Sequence, residues 1–266
     1  MKQQILTSKK IIITGASSGL GESLAWQIAK KGGIPILLAR STEKLQQIST
    51  ALHENFAILP PFYPVDLRNK AMTKKVVHTI ISEHDPIHGL INNAGVGVFS
   101  EVNHISEEAI SKMFQLNVEA LIYVTKQLLP YLLQQEHAHI INIASQAGKV
   151  ATPKAAIYGA TKHAVLGFTN GLRMELATTS NIIVTAVNLG PVKTNFFRTA
   201  DPEGMYEQNV ARYILNPDDV ARKVAACLFV RKREINLPLW MDIGSRIYQL
   251  LPGLCERLLR NQFSKK

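Results

Sequence analysis

The sequence predicts an α/β fold in which one doubly wound parallel sheet of about seven strands carries helices on both faces. Short branched-aliphatic runs alternate along the chain with longer amphipathic segments. The aliphatic runs are apolar throughout, which is typical of parallel strands covered on both sides. A chain of 266 residues, 46% of them hydrophobic, suffices for one continuous core, so a single domain over 1–266 is expected.

Six strand candidates precede residue 191. They are KIIITG (10–15), IPILLAR (34–40), FAILPPFYPVD (56–66), GLINNAG (89–95), HIINIAS (139–145) and NIIVTAVNLG (181–190). Helical crossovers between parallel strands should connect them. A long helix is expected to begin near Ser106, which is followed by Glu107 and Glu108, and Pro130 should end or kink it.

The pattern loosens at 190–216, a length typical of a binding loop or lid, and we expect this segment to move. A helix at 217–229, a short strand near REINLP (233–238) and an amphipathic helix at about 243–260 should follow. The last of these belongs to a C-terminal helical extension at 237–266. An apolar face edged by arginines can pack on the core, pair with a second subunit or contact a membrane surface.

The formal charge of +10 is spread over short separate clusters such as 9–10, 30–31 and 231–233, which argues against a nucleic-acid partner. Such a surface can attract a phosphorylated cofactor, an acidic carrier protein or anionic lipid. No run of eighteen apolar residues occurs, and the first ten residues lack a signal-peptide core, so a cytoplasmic location is expected. Cys227 and Cys255 lack metal-ligand spacing, and no metal site is expected.

A glycine-rich turn joins the first strand to the first helix, with Gly15, Gly19 and Gly21 in a T-G-x-x-x-G-x-G spacing. Glycines there permit a tight turn and close approach of the backbone to a pyrophosphate, which favours the amino end of a helix. The position of this turn, between the first strand and the first helix, predicts that it binds a dinucleotide. The residues assigned to it are Gly15, Ser17, Ser18, Gly19, Leu20 and Gly21.

The end of the second strand indicates which dinucleotide binds. An acid at this point would accept hydrogen bonds from a ribose 2′-hydroxyl, but the sequence has Ala39 followed by Arg40. A guanidinium suits a 2′-phosphate, so NADP(H) is favoured over NAD(H). Asp66, which ends the third strand beside Leu67, could accept from the adenine amino group, cap the next helix, or do both.

Tyr158 and Lys162 are spaced to share one face of a helix. An ammonium near a phenol favours the phenolate, so Lys162 should lower the pKa of Tyr158. The pair could otherwise be an ordinary one on a solvated face. The remaining motifs favour the functional interpretation.

Those motifs together resemble the short-chain dehydrogenase/reductase family, from about residue 9 to the seventh strand. In order they are 14–21, Asp66, NNAG (92–95), Asn117, Ser145, Tyr158 with Lys162, and NLGPVKT (188–194). The resemblance implies a Rossmann-type fold. Leu189 replaces the proline usual in the last motif, which should alter local stiffness more than chemistry.

The resemblance implies a catalytic tetrad of Asn117, Ser145, Tyr158 and Lys162. Tyr158 would exchange a proton with the substrate oxygen, and Ser145 would donate a hydrogen bond to the developing alkoxide. Lys162 would bind the ribose hydroxyls, and Asn117 would hold a backbone bend and a water. The remaining cofactor contacts would come from Asn92, Asn93, Ala94 and Gly95 under the adenosine ribose, and from Gly190, Val192 and Thr194 at the nicotinamide.

The implied activity is NADPH-dependent interconversion of a carbonyl and an alcohol. The C-terminal extension, with Trp240, Met241 and Tyr248, is similar to those of members that reduce bulky apolar ketones. Two alternatives stay open: reduction of a 3-oxoacyl thioester on an acidic carrier protein, and a regulator that binds NADPH without turnover. The resemblance also implies a homodimer or homotetramer through helices at 106–129 and 157–176.

Overall fold

The computed structural model describes residues 6–178 and 181–263, and within them seven parallel strands form one sheet in the order β3-β2-β1-β4-β5-β6-β7. The strands are β1 (Lys10–Thr14), β2 (Ile34–Ala39), β3 (Phe62–Pro64), β4 (Gly89–Asn92), β5 (Ala138–Ile143), β6 (Ile182–Leu189) and β7 (Glu234–Leu237). The doubly wound prediction is confirmed. The strand order reverses between β1 and β4, which leaves a crevice at their carboxyl ends.

Helices cover both faces of the sheet. One face carries α1 (Gly19–Ala29), α2 (Thr42–Phe56) and α9 (Pro217–Ala225), and the other carries α3 (Lys70–His84), α5 (Leu121–Leu132) and α6 (Ala156–Leu176). Alternate strand residues enter opposite cores: Ile11 and Ile13 pack on the first side, Ile12 on the second. This alternation is why each strand is apolar at nearly every position.

The third strand is shorter than the sequence predicts. The third strand was expected over 56–66 but spans only Phe62–Pro64, and Phe56 ends α2 instead. Pro60 and Pro61 lack the N–H group that a ladder requires, which delays the strand.

The helix expected from Ser106 is interrupted earlier than Pro130. It consists of α4 (Glu107–Phe114), a π-helical turn (Gln115–Ala120) and α5, which continues past Pro130 to Leu132. Ser106 caps it as expected, its hydroxyl accepting from the Ala109 N–H at 3.2 Å. The end of α5 at Leu132 lies close to the one predicted at Pro130, whereas the π-helical interruption was not predicted.

The segment at 190–216 contains α7 (Phe196–Ala200), α8 (Met205–Val210) and a 3₁₀ turn (Ala211–Tyr213).

The C-terminal extension forms two helices, α10 (Leu239–Leu250) and α11 (Pro252–Phe263), where one was expected at 243–260. Pro252 lacks an N–H to continue α10 and is suited to begin a new helix. The last three residues of the predicted extension lie outside the described residues. Across the described part of the chain, no helix has the length and apolar character needed to cross a bilayer.

His139 is fully buried in β5 and is held in its neutral form. The Phe229 N–H donates to its Nδ1 at 2.9 Å, while Nε2 lies 2.8 Å from the Thr185 hydroxyl. That hydroxyl donates its own proton to the Lys232 carbonyl at 2.6 Å, so Nε2 carries the imidazole hydrogen. Burial lowers the pKa of His139 from 6.5 to about 3.

This low pKa predicts a specific acid sensitivity. Below pH 6.5 the unfolded chain binds a proton at His139 that the folded chain refuses, so the free energy of unfolding falls as pH falls. Urea titrations measure the free energy of unfolding of the wild type and of His139→Asn. The wild-type value minus the variant value should fall by about 1.4 kcal/mol for each unit by which the pH is lowered from about pH 6 to pH 4. A difference independent of pH would contradict the buried neutral ring.

Candidate active site

A cleft of about 1170 Å³ lies at the carboxyl ends of the strands. Every residue that the sequence assigned to the tetrad or to the cofactor lines this cleft, except three. Gly21 and Asn117 lie behind its wall, and Asn92 is buried. The side-chain amide of Asn92 donates to Thr125 Oγ1 and to Asn142 Oδ1, both at 2.9 Å, so this side chain is held inside the fold, and the place of its backbone under the ribose stays a prediction.

The glycine-rich turn has room for backbone alone. Gly15 and Gly19 have φ of +67° and +55°, which side-chain-bearing residues rarely adopt. A Cβ on Gly15 would lie 2.9 Å from Ala94 Cα, and one on Gly21 would lie 2.1 Å from the Gly15 carbonyl oxygen. Ser18, which precedes α1, makes no side-chain cap, and Ser18, Gly19 and Leu20 line the cleft, so the amino end of the helix faces it. These features fit a bound pyrophosphate.

Thr14 and Asn93 fix the turn against the end of β4. The Thr14 hydroxyl accepts from the Asn93 and Ala94 N–H groups at 2.9 and 3.0 Å. The Asn93 amide donates to the Thr14 and Gly15 carbonyls at 3.0 and 3.2 Å. These hydrogen bonds join the carboxyl ends of β1 and β4, the two strands between which the strand order reverses.

A basic corner adjoins the end of β2. Arg40 is exposed and lines the cleft together with Lys44 and Arg68. Asp66 is engaged by Arg68, whose guanidinium donates to both carboxylate oxygens at 2.6 to 3.1 Å. Hydrogen bonds from Arg68, with a smaller effect from Arg40, lower the pKa of Asp66. Sequence analysis missed Lys44 and Arg68, because only the fold places α2 and β3 beside Arg40.

Ser145, Tyr158 and Lys162 meet at the end of β5. The Lys162 ammonium is buried, donates to the Ile143 carbonyl at 2.9 Å and lies 5.8 Å from the centre of the Tyr158 ring. The Ser145 hydroxyl donates to the Leu189 carbonyl at 3.2 Å and accepts from the Ala147 N–H at 3.1 Å. Ser145 therefore also caps the 3₁₀ turn that follows β5 (Gln146–Gly148).

The expected direction of the Tyr158 pKa was wrong. Burial raises it above its ordinary value, and the hydrogen bond with Ser145 opposes the rise without reversing it. Lys162 is itself desolvated, which lowers its own pKa to about 8. Sequence spacing could show that the phenol and the amine are neighbours, but not that both are withdrawn from water.

Asn117 lies in the π-helical turn, where an extra residue bends the helix. Its amide pairs with the Val96 backbone, accepting from the N–H at 2.8 Å and donating to the carbonyl at 2.8 Å. It also donates to Thr161 Oγ1 at 3.0 Å, on the same helix as Lys162. A Cβ on Gly95 would lie 3.3 Å from Asn117 Oδ1 and 3.8 Å from Lys162 Nζ.

The segment after β6 closes the far end of the cleft. A Cβ on Gly19 would lie 2.9 Å from Thr194, so this segment passes directly over the glycine-rich turn. Val192 pairs with Leu215 in an isolated parallel bridge. A Cβ on Gly190 would lie 2.7 Å from the Met241 sulfur, which shows how closely α10 approaches β6.

An aromatic cluster surrounds Tyr158 that sequence analysis did not identify. Phe99 and Phe196 lie 5.8 and 5.6 Å from the Tyr158 ring centre, and Tyr206 lies 4.8 Å from Phe99. A Cβ on Gly97 would lie 2.5 Å from the Phe196 ring. Phe99 follows β4 outside any helix or strand, whereas Phe196 and Tyr206 lie in α7 and α8, and no spacing in the sequence marks these rings as neighbours.

The C-terminal extension contributes Trp240, Met241 and Tyr248 to the cleft lining, as expected for a substrate pocket. A buried ammonium anchors α10: Lys149 Nζ donates to Glu234 at 2.6 Å and to Asp242 at 3.0 Å. Lys149 directly follows the turn that Ser145 caps. The extension is thus tied to the segment that carries the tetrad serine.

Comparisons with known proteins agree with this geometry. Residues 9–204 match the family model described as short chain dehydrogenase. The chain is 32% identical over 261 residues to a Drosophila melanogaster protein named dehydrogenase/reductase SDR family protein 7-like, covering 95% of this chain and 78% of that one.

Two solved structures share the fold with appreciable identity. Serine dehydrogenase complexed with NADP+ has a TM-score of 0.77 at 28% identity, covering 87% of this chain and 95% of that one. An actinorhodin polyketide ketoreductase variant with NADPH has a TM-score of 0.76 at 29% identity, covering 86% and 95%. Together with the family model, they show that this chain belongs to the short-chain dehydrogenase family of oxidoreductases.

Proposed function

We propose that the protein is an NADP(H)-dependent oxidoreductase that interconverts an apolar ketone or aldehyde with its alcohol. The observation that carries the proposal is the half-buried Tyr158 beside Ser145 at the wall of the cleft, with Lys162 Nζ 5.8 Å from its ring centre. A phenol in this setting can exchange a proton with a substrate oxygen while Ser145 holds that oxygen.

The residues present fit NADP(H). The glycine-rich turn suits the pyrophosphate, and the basic corner of Arg40, Lys44 and Arg68 suits a 2′-phosphate better than a bare ribose hydroxyl. The two neighbouring structures that bind NADP+ or NADPH support the same choice. When bound, the nicotinamide gives or takes the hydride.

The protein's own residues supply proton transfer and orientation. In the reductive direction Tyr158 would donate its proton to the carbonyl oxygen, and its raised pKa keeps that proton in place at neutral pH. Ser145 would turn from the Leu189 carbonyl to donate to the same oxygen. Lys162 would bind the ribose, and Asn117 would hold the bend that sets the distance between Lys162 and Gly95.

The aromatic cluster supports an apolar substrate. Phe99, Phe196 and Tyr206 surround the reacting phenol, and Trp240 and Met241 line the same cleft. Apolar and aromatic walls bind apolar ligands by removing their surface from water. Phe196 and Tyr206 belong to the segment at 190–216, for which we keep the proposal of a mobile lid.

Assembly and location are likewise proposals. We propose a homodimer or homotetramer in the cytoplasm, formed through α4, α5 and α6 as the family resemblance implies. Met174 on α6 is an exposed large apolar side chain, which is consistent with a subunit contact there. The mass in light scattering at several concentrations tests the assembly.

A substrate panel tests the activity. Nicotinamide absorbance should show oxidation of NADPH with bulky apolar ketones or aldehydes, and much less with small polar carbonyls. Activity confined to 3-oxoacyl thioesters would instead establish the thioester reductase. Tight NADPH binding without oxidation by any carbonyl would support the regulator and contradict the proposal.

A further inference from the structure

Helix α10 is oriented with its apolar side outward. Asp242 and Ser245 are 7% and 1% exposed, whereas Leu239, Ile243, Ile247 and Leu250 are 71%, 61%, 50% and 79% exposed. The four apolar residues recur at i, i+4, i+8 and i+11, which places them on one side of the helix. An amphipathic helix on the surface of a water-soluble protein normally packs its apolar side inward and exposes its polar side.

Buried polar contacts fix this orientation. Asp242 accepts from Lys149 Nζ at 3.0 Å and from Arg246 Nε at 3.0 Å. Lys149 is also held by Glu234 and by Asn236 at 3.0 Å. Rotating α10 to bury its apolar side would separate Asp242 from Lys149 and leave the buried ammonium with one of its two carboxylate partners, which is unfavourable inside a protein.

The outward side continues into α11. Leu251, Leu254 and Leu258 are exposed, and Trp240 is exposed at the start of α10. The Tyr248 hydroxyl donates to Glu256 at 2.8 Å and links the two helices. The C-terminal face is defined as Leu239, Trp240, Ile243, Ile247, Leu250, Leu251, Leu254 and Leu258.

Aromatic and basic groups border the C-terminal face. The Arg212 guanidinium lies 4.6 Å from the Tyr213 ring centre, and Tyr213 lies 5.1 Å from Trp240. Arg246 and Arg257 are exposed beside the apolar residues. Tryptophan, tyrosine and arginine next to an apolar face are typical of a segment lying in a membrane interface.

We propose that the C-terminal face binds an anionic lipid surface and that the apolar substrate enters the cleft from it. Trp240, Met241 and Tyr248 line the cleft from α10, so its mouth opens beside the C-terminal face. A second copy is a poorer occupant, because a twofold contact would bring two copies of the same arginine-bordered face together and supply no anionic groups opposite the arginines. The entry route rests on the proposed oxidoreductase activity, but the lipid contact does not.

Vesicle flotation of the full chain tests the lipid contact. The protein should float with phosphatidylcholine vesicles that contain phosphatidylserine, and less with phosphatidylcholine alone or at high salt. Ile243→Glu/Ile247→Glu should lower the bound-to-free ratio at least about tenfold, because it removes two exposed aliphatic side chains that the lipid would cover. Leu59→Glu/Val230→Glu, a matched pair at exposed sites preceding β3 and β7, should float as the wild type does.

Two further measurements separate the outcomes. Ile243→Glu/Ile247→Glu should keep turnover with a water-soluble carbonyl, because neither residue lines the cleft. If Ile243→Glu/Ile247→Glu lost activity with that substrate but still bound vesicles, either the variant would be misfolded or the proposed function would be wrong. Equal flotation of wild type and Ile243→Glu/Ile247→Glu would overturn the proposal. It would also be overturned if the wild type did not bind vesicles but formed a dimer that this variant alone converts to a monomer.

Discussion

Replacing Tyr158 by phenylalanine is expected to lower kcat for carbonyl reduction at least about 100-fold while leaving NADPH binding nearly unchanged. The substitution removes the hydroxyl that would protonate the substrate oxygen. It keeps the ring that packs at 5.8 Å from Phe99 and 5.6 Å from Phe196, so the aromatic cluster should survive. Steady-state kinetics and fluorescence titration of NADPH measure the two effects.

Tyr63→Phe is the matched control for this experiment. Tyr63 lies in β3, away from the cleft lining, and its hydroxyl donates to Glu83 at 2.6 Å. This variant should turn over at the wild-type rate. A Tyr158→Phe enzyme with wild-type kcat would show that another group supplies the proton and would remove Tyr158 from the catalytic assignment.

Replacing Arg40 by aspartate is expected to shift cofactor preference from NADPH toward NADH by about tenfold to about 100-fold in kcat/KM. A charge-assisted hydrogen bond to the 2′-phosphate contributes about 1.5–3 kcal/mol, and about 1.4 kcal/mol is a tenfold change. The new carboxylate would also repel the phosphate and accept from a ribose hydroxyl, so NADH binding should improve.

Arg231→Asp makes the same charge change at an exposed residue that does not line the cleft. It should reduce binding of both cofactors only slightly and equally, through the long-range field. Unchanged selectivity in Arg40→Asp would assign the 2′-phosphate to Lys44 or Arg68, which lie in the same corner. Replacing Lys44 or Arg68 by aspartate would then show which of the two side chains binds the phosphate.

The two experiments act on separate parts of the cleft. Arg40 stands at the end of β2 and Tyr158 on α6, on opposite sides of the point where strand order reverses. Their effects should therefore be close to additive. A double variant that departs from additivity by more than about tenfold would indicate that cofactor position and proton transfer are coupled, for which Lys162 is the nearest structural candidate.

Local patterns in the sequence determined the sheet, the glycine-rich turn and the residues that meet at Ser145, Tyr158 and Lys162. Fully apolar strands require a parallel sheet covered on both faces, and the carboxyl ends of such strands converge on one edge. Motif residues at those ends therefore had to gather in one cleft. Helix spacing likewise placed Tyr158 beside Lys162.

Tertiary structure alone decided what depends on contacts between distant segments. The aromatic cluster joins Phe99 to residues of the segment at 190–216, and the raised pKa of Tyr158 reflects burial that no neighbour in sequence reveals. The amphipathic pattern of the C-terminal extension left three places open for its apolar side: the core, a second subunit or a membrane surface. The contacts of Asp242 with Lys149 and Arg246 hold the polar side of α10 inward and leave its apolar side exposed, because separating a buried ion pair costs more than leaving apolar surface in water.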